Sequence, residues 1–242
     1  RSDWVAYARF NLGVAFVRKG QLPDADRYLA SVGEMAAGTP EMLALRDKAN
    51  LALGFAYLQA DQPANAKVVL ERVRLSGPLS NKALLGAGWA NAALGDFEGA
   101  LAPWLELRGR NLLDAAVQES YLAVPYAYGK LGANAQAAEY YETAMREFDK
   151  EGVSLDAAIQ GLRSTRLLDD LLAQETAERL GWFWQLQELP DAPQSRYLYA
   201  VLAGHDFQEG LKNYRDLAFM QHRLGAWAES MEAFHDMVDA RQ

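Results

Sequence analysis

The sequence predicts an all-α fold assembled from repeated helical units, and three observations carry that expectation. First, a glycine and a small residue return at near-constant spacing. The runs are Leu12-Gly13 to Gly20 to Ala25, Leu53-Gly54 to Asp61 to Ala66, Ala87-Gly88 to Gly95 to Ala100, and Val124-Pro125 to Gly132 to Ala137. A period in the thirties is the mark of an array in which each unit buries its apolar face against its neighbours. Second, no stretch reads as a strand. Third, 50% of the 242 residues are hydrophobic and 23% are charged, a balance that supports a packed core and disfavours disorder.

Aligned on their tight turns, the repeats correspond residue by residue. The first places Leu12, Gly13, Ala15 and Phe16 on a helix A, Gly20 at the turn, and Ala25, Leu29 and Val32 on a helix B. The second holds Leu53, Gly54, Ala56 and Tyr57, then Asp61, then Ala66, Leu70 and Val73, with Pro78 ending the unit. The third holds Ala87, Gly88, Ala90 and Asn91, then Gly95, then Ala100, Trp104 and Leu107, and the fourth Val124, Pro125, Ala127 and Tyr128, then Gly132, then Ala137, Tyr141 and Ala144. A small residue at a helix crossing lets two helices approach while bulky neighbours fill the grooves. Glycine at the turn supplies a positive φ without a Cβ penalty. Gly13, Gly54, Gly88 and Pro125 lie 41, 34 and 37 residues apart, which predicts longer connections or helices after the first and third units. Pro125 is expected to bend its helix unless it lies in the first turn.

After residue 148 the pattern fades. Residues 153–180 read as one or two amphipathic helices with Leu155, Ile159, Leu162, Leu167, Leu168, Leu171 and Leu172 on the apolar face. Leu180-Gly181-Trp182-Phe183-Trp184 follows, and Leu189-Pro190-Asp191-Ala192-Pro193 breaks the chain. Residues 194–240 read as three helices, with turns expected at His205-Asp206-Phe207 and at Gly225-Ala226-Trp227.

Over residues 5–145 these motifs resemble the tetratricopeptide repeat, whose unit is two antiparallel helices in about 34 residues. The resemblance implies a right-handed superhelical solenoid: four repeats over 1–148, a divergent helical segment over 149–193, and degenerate or capping helices over 194–242. It also implies that helix A lines a concave groove. There the first repeat offers Tyr7, Phe10, Asn11, Val14, Val17 and Arg18, and the second Lys48, Leu51, Phe55, Leu58 and Gln59. The third offers Lys82, Leu85, Trp89 and Ala92, and the fourth Leu122, Tyr126 and Lys130. The residue after each aligned small position is Val14, Phe55, Trp89 or Tyr126, a largely aromatic stripe suited to anchoring a partner. A subgroup of the family clamps C-terminal carboxylates with Lys and Asn at places held here by Phe10, Val14, Ala52, Lys82 and Gly86. Only Lys82 matches, so an apolar or amphipathic segment suits this groove better than a chaperone tail. Trp182, Phe183 and Trp184 form a second candidate interface, as a plug for the end of the array, a partner surface, or a helix that fills the groove.

Little in the sequence points to chemistry. Zero cysteines exclude disulfides, thiolate metal sites and a cysteine nucleophile. The three histidines, His205, His222 and His235, are too far apart for ligands on one helix turn. Asp169, Asp170 and Glu175 fall on the polar side of an amphipathic helix, with no nucleophile or oxyanion donor beside them. No glycine-rich phosphate loop follows a strand. We therefore expect no enzyme activity, no metal and no cofactor. A net charge of −8, with no basic run beyond Arg72-Val73-Arg74 or Arg108-Gly109-Arg110, disfavours nucleic acid as a partner.

No stretch approaches 18 apolar residues, so this sequence predicts no membrane insertion. The start at Arg1 rather than Met leads us to expect an upstream signal, anchor or tag. The expected function is a scaffold or adaptor that holds a peptide or helix of another protein. Ala-rich helices and absent cysteines lean towards a bacterial envelope or secretion assembly. The alternatives are a structural segment of a longer solenoid, a module that self-associates as a homo-oligomer, or the accessory domain of a larger enzyme.

Overall fold

The computed structural model describes residues 3–163 and 195–239, and every element among them is an α-helix. The chain divides into two compact units, residues 1–147 and 148–242. In the first, α1 (Asp3–Arg18), α3 (Pro40–Gln59), α5 (Ser80–Ala93) and α7 (Ala115–Lys130) alternate with α2 (Leu22–Gly33), α4 (Pro63–Leu70) and α6 (Phe97–Arg108), and α8 (Asn134–Arg163) begins. The second unit holds the end of α8, α9 (Ser195–Leu202) and α10 (His205–Asp239).

Four turns set the geometry of the first unit. Each joins an odd helix to the next through three residues, and the middle one has positive φ: Gly20 (69°), Asp61 (56°), Gly95 (78°) and Gly132 (75°). In all four the residue after it donates its N–H back to the last turn of the preceding helix: Gln21 to Phe16 O at 3.0 Å, Gln62 to Tyr57 O at 2.8 Å, Asp96 to Asn91 O at 3.0 Å and Ala133 to Tyr128 O at 2.9 Å. This pattern satisfies carbonyls that the helix end would orphan, and it reverses the chain within one residue. Consecutive helices therefore pack antiparallel, as the sequence predicts.

The crossing of each pair explains the repeated small residue. A Cβ placed on Gly13 would lie 2.5 Å from Leu29 Cγ. On Gly54 it would strike the Leu70 side chain and on Gly88 the Trp104 indole, closer still. In each case the intruding side chain comes from 16 residues downstream, and Leu29, Leu70 and Trp104 are almost wholly buried. Trp104 also donates its indole N–H to Leu85 O at 3.2 Å. Such contact gathers dispersion from many atom pairs and leaves no room for a methyl group. The fourth repeat departs from the rule: Pro125 sits buried in the interior of α7, not in its first turn, and Tyr141 is 44% exposed.

Packing between repeats adds polar ties. Asn50 donates to Gly33 O at 3.0 Å and the Tyr57 hydroxyl to Asp26 Oδ1 at 2.7 Å, while within the second repeat Arg74 Nε donates to the buried Asp47 Oδ2 at 2.7 Å. The Arg108 guanidinium lies over Tyr121 at 4.5 Å and over Tyr140 at 4.6 Å. The irregular repeat length is taken up at the starts of odd helices. α3 runs 20 residues from a Thr39 cap, whose Oγ1 accepts the Met42 N–H, whereas α5 runs 14.

The first unit is thus a solenoid of stacked antiparallel helix pairs. Two expectations fail. α8 continues without a break to Arg163, so no new helix begins near 153; Gly152 opposes it there, at a cost of about 1 kcal/mol against Ala. α10 likewise runs straight through Gly225, where a turn was expected, and two helices rather than three occupy the described residues after 194. Glycine at that site has no positive φ, because the flanking Leu224, Ala226 and Ala228 all favour helix. In the second unit Glu151 accepts the Tyr197 hydroxyl at 2.6 Å and pairs with Arg196. The Tyr197 bond first, and then Arg196, holds the Glu151 carboxyl below its usual range. Ala158, Leu202 and Leu211 are buried there.

Two stability outcomes follow. Gly88→Ala should cost about 3 kcal/mol in urea unfolding, at the top of the overpacking range, whereas Asp61→Gly should gain about 0.5–1 kcal/mol by relieving a left-handed non-glycine residue. Tyr57→Phe should cost about 1 kcal/mol. Burial, and then the bond to Asp26, raises the Tyr57 hydroxyl pKa above its ordinary 10, so the Tyr57 contribution is intact below pH 10 and fades as pH rises beyond it. The check is the difference between wild type and Tyr57→Phe measured at pH 8 and above pH 10.

Candidate functional site

Among α1 to α7, the odd helices touch one another in succession as well as their own partners: α1 meets α3, α3 meets α5 and α5 meets α7. Successive even helices pack together less, so the odd helices form the more closely packed layer of the array, called the inner layer below. The surface of that layer is where the sequence places a groove.

The aromatic part of this surface spans α3, α5 and α7. Phe55 on α3 is 39% exposed and lies across the small Gly86 of α5, where an added Cβ would sit 3.3 Å from Phe55 Cζ. Trp89 on α5 is half-buried. Its ring meets Trp104 edge-on at 4.9 Å and Tyr126 of α7 at 6.0 Å, and its Nε1–H donates to Glu119 Oε1 at 2.7 Å. Tyr126, again 39% exposed, is flanked by Phe97 at 6.0 Å and by the Lys130 ammonium at 5.5 Å from its ring. Rings fixed by neighbours on both sides lose little freedom when a partner covers them, which favours them as anchors. Leu122 is exposed one turn before Tyr126 on α7. Lys48 on α3, Lys82 on α5 and Lys130 on α7 are exposed along the same helices.

The remaining positions distribute differently. Phe10 and Val14 on α1 are half-buried against the cluster of Leu29, Val32, Leu45 and Leu53, so the first repeat presents no exposed ring at the stripe position. Leu51 packs against the cluster of Ala66, Leu70 and Ala90. Arg18 and Gln59 meet at a separate cleft of about 350 Å³, lined also by Val17, Gly20, Leu22, Ala56 and Ala60. Trp182, Phe183 and Trp184, like Asp169, Asp170 and Glu175, lie outside the described residues.

Two contributors escaped sequence reasoning. Glu119 lies 30 residues from the indole it holds, and no local pattern links them. Phe97 follows a turn, which gave no sign that it would reach Tyr126. Among the described residues no cluster of three His, Cys, Asp or Glu side chains is placed to hold a metal, and no helix is long and apolar enough to cross a membrane.

No family model matches this chain, and no curated protein matches it. Among solved structures, one similar chain is described as a putative kinesin light chain of Podosopora anserina with nearly identical TPR-like repeats. It is 19% identical, with 61% of this chain and 76% of that chain covered and a TM-score of 0.48. The assignment to the tetratricopeptide class of architecture rests on the turns and crossings described above.

The layered packing makes a local prediction. Glu119→Gln keeps an acceptor for the Trp89 indole and should change stability by under about 0.5 kcal/mol. Glu119→Leu leaves the indole N–H without its partner and should cost about 1 kcal/mol. Chemical unfolding of the two variants, followed by tryptophan fluorescence, checks the difference.

Proposed function

We propose that this protein is a non-catalytic scaffold or adaptor whose inner helical layer holds a peptide or helix of another protein, with Phe55, Trp89 and Tyr126 as the anchors. The observation that carries the reading is the run of three rings on successive inner helices, two of them in mutual contact and each held from behind by the fold. Exposed apolar rings set among polar residues favour an amphipathic segment as the ligand. Lys48, Lys82 and Lys130 alongside them favour a segment that carries acidic residues between its apolar ones.

Phe55→Ala and Tyr126→Ala separate binding from folding better than Trp89→Ala, because the Trp89 ring also rests on the core residue Trp104. Each should weaken capture of the partner by about 2 kcal/mol while moving the unfolding free energy by less than about 1 kcal/mol. The experiment is an affinity capture from the source cell with wild type beside the Phe55→Ala/Tyr126→Ala double variant, eluted proteins being identified by mass spectrometry. A protein retained by wild type and lost by the folded variant supports the site. Equal retention by both moves recognition off the inner layer.

A further inference from the structure

We propose that α10 is a self-association element, through which two copies of the chain pair along an antiparallel two-helix seam made by Leu217, Met220, Leu224, Trp227 and Met231. The inference is independent of the groove. These five side chains are 63%, 51%, 61%, 60% and 69% exposed, and they are spaced three, four, three and four residues apart. In sequence the same spacing continues to Phe234 and Val238. A stripe with that 3.5-residue average is the pattern of a supercoiled seam, which fits a second helix lying nearly parallel and fits an extended strand poorly.

Among the described residues nothing covers this stripe. Every residue from Met220 to Met231 whose side chain is described is exposed, so over these turns no described element supports the helix. Isolated helices are marginal in water, and most helical stability comes from packing one apolar face. A stripe of two leucines, two methionines and a tryptophan, with Ala, Gln and Ser among the residues that flank it, is composed like an interface core.

Three features choose a second copy as the occupant. The stripe is self-complementary: in an antiparallel pair centred between Leu224 and Trp227, Leu224 meets Trp227 of the second copy, Met220 meets Met231, and in sequence Leu217 falls opposite Phe234. Area is sufficient, since these side chains and their flanks present on the order of 600–800 Å² per helix against about 800 Å² per partner in a standard interface. Charge selects the direction. The first part of α10 carries Lys212, Arg215 and Arg223 beside Asp206, Glu209 and Asp216 and is neutral overall, whereas positions 229–239 carry Glu229, Glu232, Asp236 and Asp239 with no Lys or Arg. Parallel pairing would set the two acidic ends side by side. Antiparallel pairing sets each acidic end along the cation-bearing part of the other copy.

The test is the mass of the full chain in solution by light scattering and sedimentation, at about 1–100 μM. Wild type should form a dimer. Leu224→Glu should weaken it at least 100-fold with the helices of the first unit still folded, and Trp227→Ala should weaken it about 10-fold or more as a milder check on folding. The absence of cysteine permits single labels, and a spin label at His205→Cys should report a separation near 60 Å from a rise of about 1.5 Å per residue. A wild-type monomer throughout the range, or a dimer that tolerates Leu224→Glu, overturns the proposal. A label separation under about 30 Å overturns the antiparallel arrangement.

Discussion

The first unit depends on one constraint: two helices must cross so closely that a side chain of the second fills the space a Cβ would take on the first. Gly13 against Leu29, Gly54 against Leu70 and Gly88 against Trp104 are the same contact built three times. The three-residue turns with positive φ at their centres return each even helix to that crossing, and the crossing in turn fixes which face of each odd helix is left over. What remains is the inner layer. Phe55, Trp89 and Tyr126 fall on successive odd helices, the last two in ring contact, because each follows directly on an aligned crossing position.

That relation explains what could be read from sequence. The turns at Gly20, Asp61, Gly95 and Gly132 and the small residues at the crossings leave local signals, since backbone conformation and close approach both restrict residue type at one position. Even Asp61, which has a Cβ, was legible from its place in the repeat. The placement of Phe10 and Val14 against the first core cluster was not, because an apolar residue on helix A suits the core and the groove equally. The Glu119 bond to Trp89 was invisible for another reason: it joins helices from different repeats, and the sequence carries no register between them. A lone glycine misleads at Gly225, which looks like a turn, yet an isolated glycine costs about 1 kcal/mol, and strong helix formers on either side outweigh it.

The distribution of polar groups supports a division of labour in the first unit. Asn50 with Gly33 and Tyr57 with Asp26 tie consecutive repeats together, and Asp47 with Arg74 ties the second repeat to itself, at buried or half-buried sites where an unpaired partner is expensive. The inner layer uses its polar groups differently, with Lys130 beside Tyr126 and Glu119 on the indole of Trp89, both at exposed positions. The ties hold the repeats in register, and the layer presents rings whose orientation is already set. A surface pre-organised in this way binds without paying again for side-chain ordering.

The most direct measurement is hydrogen–deuterium exchange of the full chain with and without the partner that wild type retains. Binding on the inner layer predicts added protection along α3, α5 and α7, greatest around Phe55, Trp89 and Tyr126, with α4 and α6 unchanged on their outer faces. Protection that appears on α4 and α6 while the inner helices exchange as before would contradict the account.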